Sequence, residues 1–506
     1  SPVSCQDDCF HLLLALDWLN YSRFADEIPL TGRSVVLHDP AMGDIPPEVI
    51  ESGALVQEIS LKAVAKSIEG GRANMLALGM LAAILDIDKS AIEKAVNSVL
   101  GSKGAEVVAA SMNSINVGFD AAPNLNDWPA LPPTPAVTPH WNISGNEAAG
   151  LGALRGGVRL VAAYPITPAS EVLEWMAPNL EKVGGALIQA EDELASINMV
   201  IGASFGGVPA LTATSGPGLS LMMESLGLAI ASENPVVVID VMRGGPSTGI
   251  PTKSEQSDLN IALYGMHGDA PHLVLAPVNI GDCAFTTEWA VRLAERLQAV
   301  AIVLSDQSLG LSRAIVDPPK SSPVLESRAT VTTESETYQR YALTADGISQ
   351  MAIPGTAGCI YTADGLEHTP AGIPSSMASD HQEQLEKRHK KLAQFEYGEH
   401  WAVQQGEGEL CLITWGSSSG VVSEAAQRLR ADGIATQTLV IRLLSPLPKR
   451  RFQVALQGVK RITVVEQNHQ GQLFHYLNSL NLLPEGSRVL AHPGPLPIRP
   501  GEVVGS

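Results

Sequence analysis

From Glu147 onward, continuous apolar runs alternate with stretches of helical periodicity. Val158–Ala163, Ala186–Gln189, Ala210–Thr214 and Val236–Val241 have strand length and little polar interruption, as expected of strands buried on both faces. Between them, Pro168–Leu180, Glu193–Ser204 and Leu219–Ser232 repeat apolar residues at helical spacing. Strand, loop and helix in this order predict a doubly wound α/β domain around a parallel sheet. The same rhythm returns from Glu409: Leu410–Trp415, a Gly-Ser turn at 416–420, a helix through Arg430, Thr436–Ile441 and Ile462–Val465 predict a second, smaller α/β domain. Residues 1–120 carry helical patterns at Arg72–Leu85 and Ser90–Val99 and a strand candidate at Ser34–Leu37. There the pattern is already mid-element at Cys9–Leu19, as though a strand and a glycine-rich loop preceded it.

Prolines at 129, 132, 133, 135 and 139 exclude a regular helix and mark an extended linker. The expected organisation is a partial α/β domain over 1–123, a Pro-rich linker over 124–144, the main α/β domain over 145–320, a loop-rich connecting segment over 321–400, and the second α/β domain over 401–506. The connecting segment ends in the charged run Gln382–Gln394, read as a solvated helix.

A chain of 506 residues is too long for one ordinary core, in keeping with several domains. Its net charge of −20 repels nucleic acid and anionic membrane surfaces, so neither is expected as a partner. The most apolar short run, Met75–Leu85, is a core helix rather than a membrane span, and no basic segment precedes an apolar one as in a secretory leader. Cys5, Cys9, Cys283, Cys359 and Cys411 are scattered and odd in number, and only Cys5 and Cys9 approach motif spacing. This excludes a disulfide framework, leaves no metal site expected in this chain and favours a cytoplasmic location.

Ligands of open parallel sheets gather beyond the carboxyl ends of the strands. Four loops there carry chemistry: Tyr164-Pro165-Ile166-Thr167-Pro168, Ala190-Glu191-Asp192-Glu193, Thr214-Ser215-Gly216-Pro217-Gly218, and Met242-Arg243-Gly244-Gly245. Together they offer a hydroxyl, a carboxylate, a glycine turn and a guanidinium. Each also has a structural explanation. Thr167 before Pro168 suits a helix N-cap, Glu193 in a first helical turn suits the helix dipole, and 215–218 suits a tight turn. Arg243 beside two glycines suits bidentate carboxylate binding better than a surface ion pair.

In this order, the segments Y-P-I-T-P at 164–168, Q-A-E-D-E at 189–193, T-S-G-P-G at 214–218 and R-G-G-P-S-T-G-x-P-T at 243–252 resemble the pyrimidine-binding domain of the 2-oxoacid:ferredoxin oxidoreductase α subunit. The resemblance is strong over about 145–310. Residues 401–506 resemble the family's second α-subunit domain, related to the transketolase C-terminal domain, and residues 1–123 resemble a truncated γ domain fused in front.

The resemblance implies oxidative decarboxylation of a 2-oxoacid with coenzyme A as co-substrate, giving acyl-CoA, carbon dioxide and electrons for ferredoxin, with thiamine diphosphate as cofactor. It implies that Glu193 holds the pyrimidine N1′, with Glu191 as the fallback, and that Pro165, Ile166, Thr214 and Gly216 line the cofactor. Thr167 and Arg243 are implied to grip the substrate's carboxylate end. The γ–α fusion and the Thr252-Lys253 pair favour the 2-oxoglutarate branch, with Lys253 meeting a distal carboxylate. No G-D-G motif for diphosphate and Mg²⁺ and no C-x2-C occur here. The resemblance therefore assigns diphosphate, Mg²⁺ and [4Fe-4S] sites to a β subunit in an (αβ)₂ heterotetramer. Pyruvate or a branched-chain 2-oxoacid as substrate, a ferredoxin-independent thiamine enzyme and a non-catalytic assembly subunit are the alternatives.

Overall fold

The computed structural model describes residues 5–125, 140–322, 327–331 and 337–506. The chain divides into two compact units, one over residues 6–138 and the other comprising the rest. The prolines of the expected linker lie outside the described residues.

In the smaller unit, β1 (Leu12–Ala15), β2 (Val35–His38) and β3 (Leu55–Glu58) form a parallel three-stranded sheet. The segment that opens mid-pattern in the sequence thus contains the first of three strands. Helix α1 (Ala73–Ile84) buries Leu76, Ala77 and Met80 and packs on α3 (Ala105–Asp120). Between them α2 (Lys89–Leu100) is capped by Asp88, whose side chain accepts from the Ser90 amide at 2.8 Å.

The larger unit begins with β4 (Trp141–Ser144), so the last four residues of the expected linker span form a strand. β4 pairs antiparallel with β11 (Arg313–Val316). Ser144 then caps α4 (Gly145–Gly156) in a reciprocal capping box with Glu147. The central sheet is built from β5 (Leu160–Ala163), β6 (Ala186–Gln189), β7 (Ala210–Thr214), β8 (Val236–Met242), β9 (Leu273–Leu275) and β10 (Val300–Asp306), all parallel. β7, β8 and β10 are buried throughout, as their unbroken apolar runs require. Helices α5 (Ser170–Leu180), α6 (Glu193–Phe205), α7 (Gly216–Ala231) and α8 (Asp282–Leu297) follow β5, β6, β7 and β9. α6 packs on α7, whereas α4 packs on α5 and α8.

The second α/β part contains β12 (Ala402–Gln405), β13 (Leu410–Trp415), β14 (Thr436–Ile441), β16 (Arg461–Glu466) and β17 (Arg488–Ala491), ordered β12-β14-β13-β16-β17. All neighbours are parallel except β12 and β14. One strand from the same stretch, β15 (Leu443–Ser445), leaves it and joins β9 antiparallel. The central sheet therefore runs β15-β9-β10-β8-β7-β5-β6, and the two α/β parts share an edge.

One expectation is overturned in the connecting segment. The charged run does form a helix, α9 (Ala378–Ala393), but not a solvated one. Gln384, Lys387, Arg388, Lys391 and Leu392 are buried, and Lys387 and Lys391 reach the fully buried Glu233 at 2.5 and 2.9 Å. A carboxylate at the far end of α7 gives these cations a partner that the local sequence does not reveal.

Candidate active site

The loops beyond β5, β6, β7 and β8 meet at the carboxyl rim of the sheet, and three contacts bind them together. Arg243, which follows β8, is only 7% exposed and donates from Nη1 to the Thr167 carbonyl at 2.6 Å. Burial works against its charge and the nearby Asp258 carboxylate favours it. Among the described residues its buried Nε has no partner, so part of the guanidinium's donor capacity is unused.

The second contact joins the β6 and β7 loops. Glu193 is the first residue of α6 and 7% exposed, while Glu191 stands in solvent; burial separates the two carboxylates. The adjacent Asp192 caps the helix by accepting from the Ala195 amide at 2.7 Å. That leaves Glu193 free of the capping role, and its carboxylate takes no hydrogen bond among the described residues. Gly218 permits the approach. A Cβ there would lie 2.1 Å from Thr214 Oγ1 and 2.7 Å from Glu193 Oε1.

The third contact seats Asp258 on Gly216, where an added Cβ would come within 2.6 Å of Asp258 Oδ2. Ser257 Oγ lies 2.9 Å from the Arg243 carbonyl and 3.0 Å from Asp258 Oδ1. The Arg243 loop thereby touches the start of α7.

The residues singled out in the sequence fall into two groups. Thr214 is buried at the end of β7, Gly216 opens α7 and Ile166 packs half-buried on the core. Pro165 and Thr167 are exposed. Thr167 is not a helix cap: α5 starts at Ser170 with Ala169 as N-cap. Segment 215–218 is likewise a helix start with Pro217 in the first turn, not a free turn. Thr252 and Lys253 lie farther along the Arg243 loop, exposed and half-buried respectively. They contribute main-chain contacts: the Thr252 carbonyl accepts from Gln307 Nε2 at 2.8 Å and the Lys253 carbonyl from the Gly244 amide at 3.1 Å. The fold of this loop requires Gly249, at φ +58°, because a Cβ there would overlap the Gly244 carbonyl.

Sequence reading missed the residues that hold this loop. The fully buried Gln256 donates to the Trp415 carbonyl at 2.7 Å and accepts from the Gln467 amide at 2.7 Å and Ser418 Oγ at 2.9 Å. Gln472 donates to the Ser257 carbonyl at 2.8 Å and accepts from the Asn260 amide at 2.9 Å. With partners more than 150 residues away, no local pattern announces either. Asp240 was also missed, although a lone charge within Val236–Met242 is a signal. Among the described residues no group of three or more His, Cys, Asp or Glu side chains is arranged to hold a metal ion, and no helix is long and apolar enough to cross a membrane.

Residues 151–387 match the family model "Pyruvate flavodoxin/ferredoxin oxidoreductase, thiamine diP-bdg". Residues 1–121 match "Pyruvate ferredoxin/flavodoxin oxidoreductase" and 408–482 match "Pyruvate:ferredoxin oxidoreductase core domain II". The 2-oxoacid:ferredoxin oxidoreductase subunit alpha of Saccharolobus solfataricus is 37% identical over 365 residues, covering 68% of this chain and 57% of that protein. This chain therefore spans somewhat over half of that relative's length. The 2-oxoglutarate synthase subunit KorA of Archaeoglobus fulgidus is 38% identical over 327 residues, covering 64% of this chain and 87% of its own. The solved 2-oxoglutarate:ferredoxin oxidoreductase from Magnetococcus marinus, with 2-oxoglutarate, coenzyme A and succinyl-CoA bound, superposes with a TM-score of 0.90 at 37% identity. It covers all of this chain and 89% of that one.

Proposed function

The chain belongs to the 2-oxoacid:ferredoxin oxidoreductase family, and from that premise we propose that it is the α subunit of a cytoplasmic 2-oxoglutarate:ferredoxin oxidoreductase. The reaction joins 2-oxoglutarate and coenzyme A to give succinyl-CoA and carbon dioxide, with two electrons passing to ferredoxin.

The observation that carries this reading is the buried Glu193 carboxylate, without a hydrogen bond among the described residues, facing Gly218 at the same sheet rim where Arg243 and Thr167 tie two further loops together. These residues fit the pyrimidine half of thiamine diphosphate. A carboxylate without a protein donor among the described residues suits a ring N–H, and the bare Gly218 backbone lets the Glu193 carboxylate occupy this position. When bound, thiamine diphosphate supplies the carbon nucleophile and the electron sink. This chain's part is to position and to move a proton. Glu193 holds a proton at the pyrimidine ring nitrogen, and Thr214 and Gly216 with Pro165 and Ile166 border that ring. Arg243 and Thr167 orient the carboxylate and oxo groups of the substrate, and the Arg243 charge offsets the negative charge retained until carbon dioxide leaves. Thr252 and Lys253, on the same loop, face the distal carboxylate that distinguishes 2-oxoglutarate from pyruvate. The diphosphate, its Mg²⁺ and the [4Fe-4S] cluster belong to a β subunit in an (αβ)₂ complex, which also receives ferredoxin.

The test is coenzyme A-dependent reduction of a viologen dye by this chain purified with its co-produced partner. Turnover with 2-oxoglutarate and little with pyruvate is expected. Preference for pyruvate would overturn the substrate, and no turnover with any 2-oxoacid would overturn the enzymatic reading.

A further inference from the structure

We infer that Asp240 and Asp258 share one proton beneath the site, and that this acid-to-carboxylate contact makes Asp240 a positioning residue that sets Arg243 and the Gly216 helix start in register. The inference rests on reading Arg243 as the substrate-carboxylate ligand.

Asp240 lies on β8 in register with Thr214 on β7, so both side chains project from the same face of the sheet. Thr214 is the residue that Gly218 and Glu193 crowd against. Asp240 is fully buried, and among the described residues neither of its oxygens receives an N–H or O–H donor. An ionised carboxylate without a donor is costly in such a place, and its polar neighbour is another acid, Asp258. Only a proton between them satisfies both. Asp258 is the better anion of the two: Ser257 Oγ lies 3.0 Å from Oδ1 and the Arg243 charge is close, while its buried Oδ2 has no other donor.

The electrostatics agree with that placement. Burial and the neighbouring carboxyl push Asp240 well above the usual carboxylate range. Burial and Glu255 also raise Asp258, but hydrogen bonds from Ser257 and Asp240 and the Arg243 charge pull it back. Asp240 is therefore the neutral donor and Asp258 the carboxylate. One hydrogen bond then ties β8 to the returning limb of the Arg243 loop. From that limb Ser257 reaches the Arg243 carbonyl and Asp258 rests on Gly216. A carboxyl pair with its proton carries one negative charge, which balances the guanidinium without a second buried anion.

Asn has the shape of a neutral Asp and keeps a donor, so the substitutions Asp240→Asn and Asp240→Ala separate the possibilities in the co-purified complex. Asp240→Ala should raise KM for 2-oxoglutarate about tenfold with a smaller change in kcat, whereas Asp240→Asn should stay within about threefold of the parent at neutral pH. A second readout does not need turnover. A carboxyl whose folded pKa is raised binds a proton that the unfolded chain, with its Asp near 3.9, has lost. Stability of the parent must therefore fall relative to Asp240→Asn as pH rises from about 5 to 8. Equal slopes for the two proteins would rule out the shared proton, as would Asp240→Asn being as damaging to KM as Asp240→Ala. Arg243→Ala with unchanged KM would instead remove the functional premise, while the stability slopes still decide the proton.

Discussion

At the scale of single residues the proposed chemistry is tested at Glu193. Its carboxylate is buried, borders Gly218 and Thr214, and is spared capping work because Asp192 performs it. Glu193→Gln keeps the volume and the packing but cannot take up a proton. We expect kcat to fall by about 10²–10⁴, the usual range for a lost proton-transfer group, with no loss of thermal stability. Steady-state kinetics with thermal unfolding check this, and a variant within threefold of the parent would remove Glu193 from the reaction. The placement of Glu193 and Arg243 at the sheet's carboxyl rim was legible in the sequence because each lies where a strand's apolar run gives way to a helix or loop. What the sequence left open was which of Glu191 and Glu193 turns inward and whether Thr167 is a cap. Burial of Glu193 and the start of α5 at Ser170 answer both, since side-chain direction depends on where the helix begins.

The loop that carries Arg243 behaves, at the scale of elements, as a clamp fixed from the second α/β part. Gln256 uses both its amide donor and its carbonyl on Trp415, Ser418 and Gln467, and Gln472 closes the next turn on Ser257 and Asn260. Gln256→Met fills a similar volume and leaves buried groups unpaired, at a cost of about 1–3 kcal/mol each. We expect KM for the 2-oxoacid to rise on the order of tenfold, with the Glu193-dependent step less affected. An unchanged KM would mean that the loop holds its shape without the clamp. Strands β6, β7, β13 and β14 have the bounds that their apolar runs suggest. Helix α8 was not legible in the same way because buried Thr286, Thr287, Glu288 and Glu295 interrupt its apolar face. The edge strand β15 escapes local reading altogether: three residues acquire strand character only by pairing with β9.

For the larger unit as a whole, the buried Glu233 joins parts of the chain that sequence alone left as separate. It lies at the end of α7 and receives Lys387 and Lys391 from α9, while Arg340 donates to its backbone carbonyl at 2.8 Å. Burial alone would push the Glu233 carboxyl up, but Lys387, Lys391 and Arg340 together hold it below the usual carboxylate range. Lys387, buried beside other cations, is pushed down to about 8 despite the attraction of Glu233. One anion thus serves three cations, and its removal is worse than the loss of any one of them. Glu233→Gln should destabilise the unit by about 3–5 kcal/mol because the lysines keep their burial and lose their counter-charge. Lys387→Met should cost less, since Glu233 retains Lys391 and Arg340. The sign of the pH dependence follows from the depressed carboxyl. Its contribution is complete above the unfolded pKa, near 4.3, and is lost as pH falls through the folded value. The gap in thermal midpoint between parent and Glu233→Gln should therefore narrow as pH falls below about 4, and also as pH rises through neutral, where Lys387, held at about 8 only with Glu233 beside it, loses its charge more readily in the variant. A gap that stays unchanged from about pH 7 down to about pH 3, or a Lys387→Met variant less stable than Glu233→Gln, would show that the carboxylate is not the centre of the network.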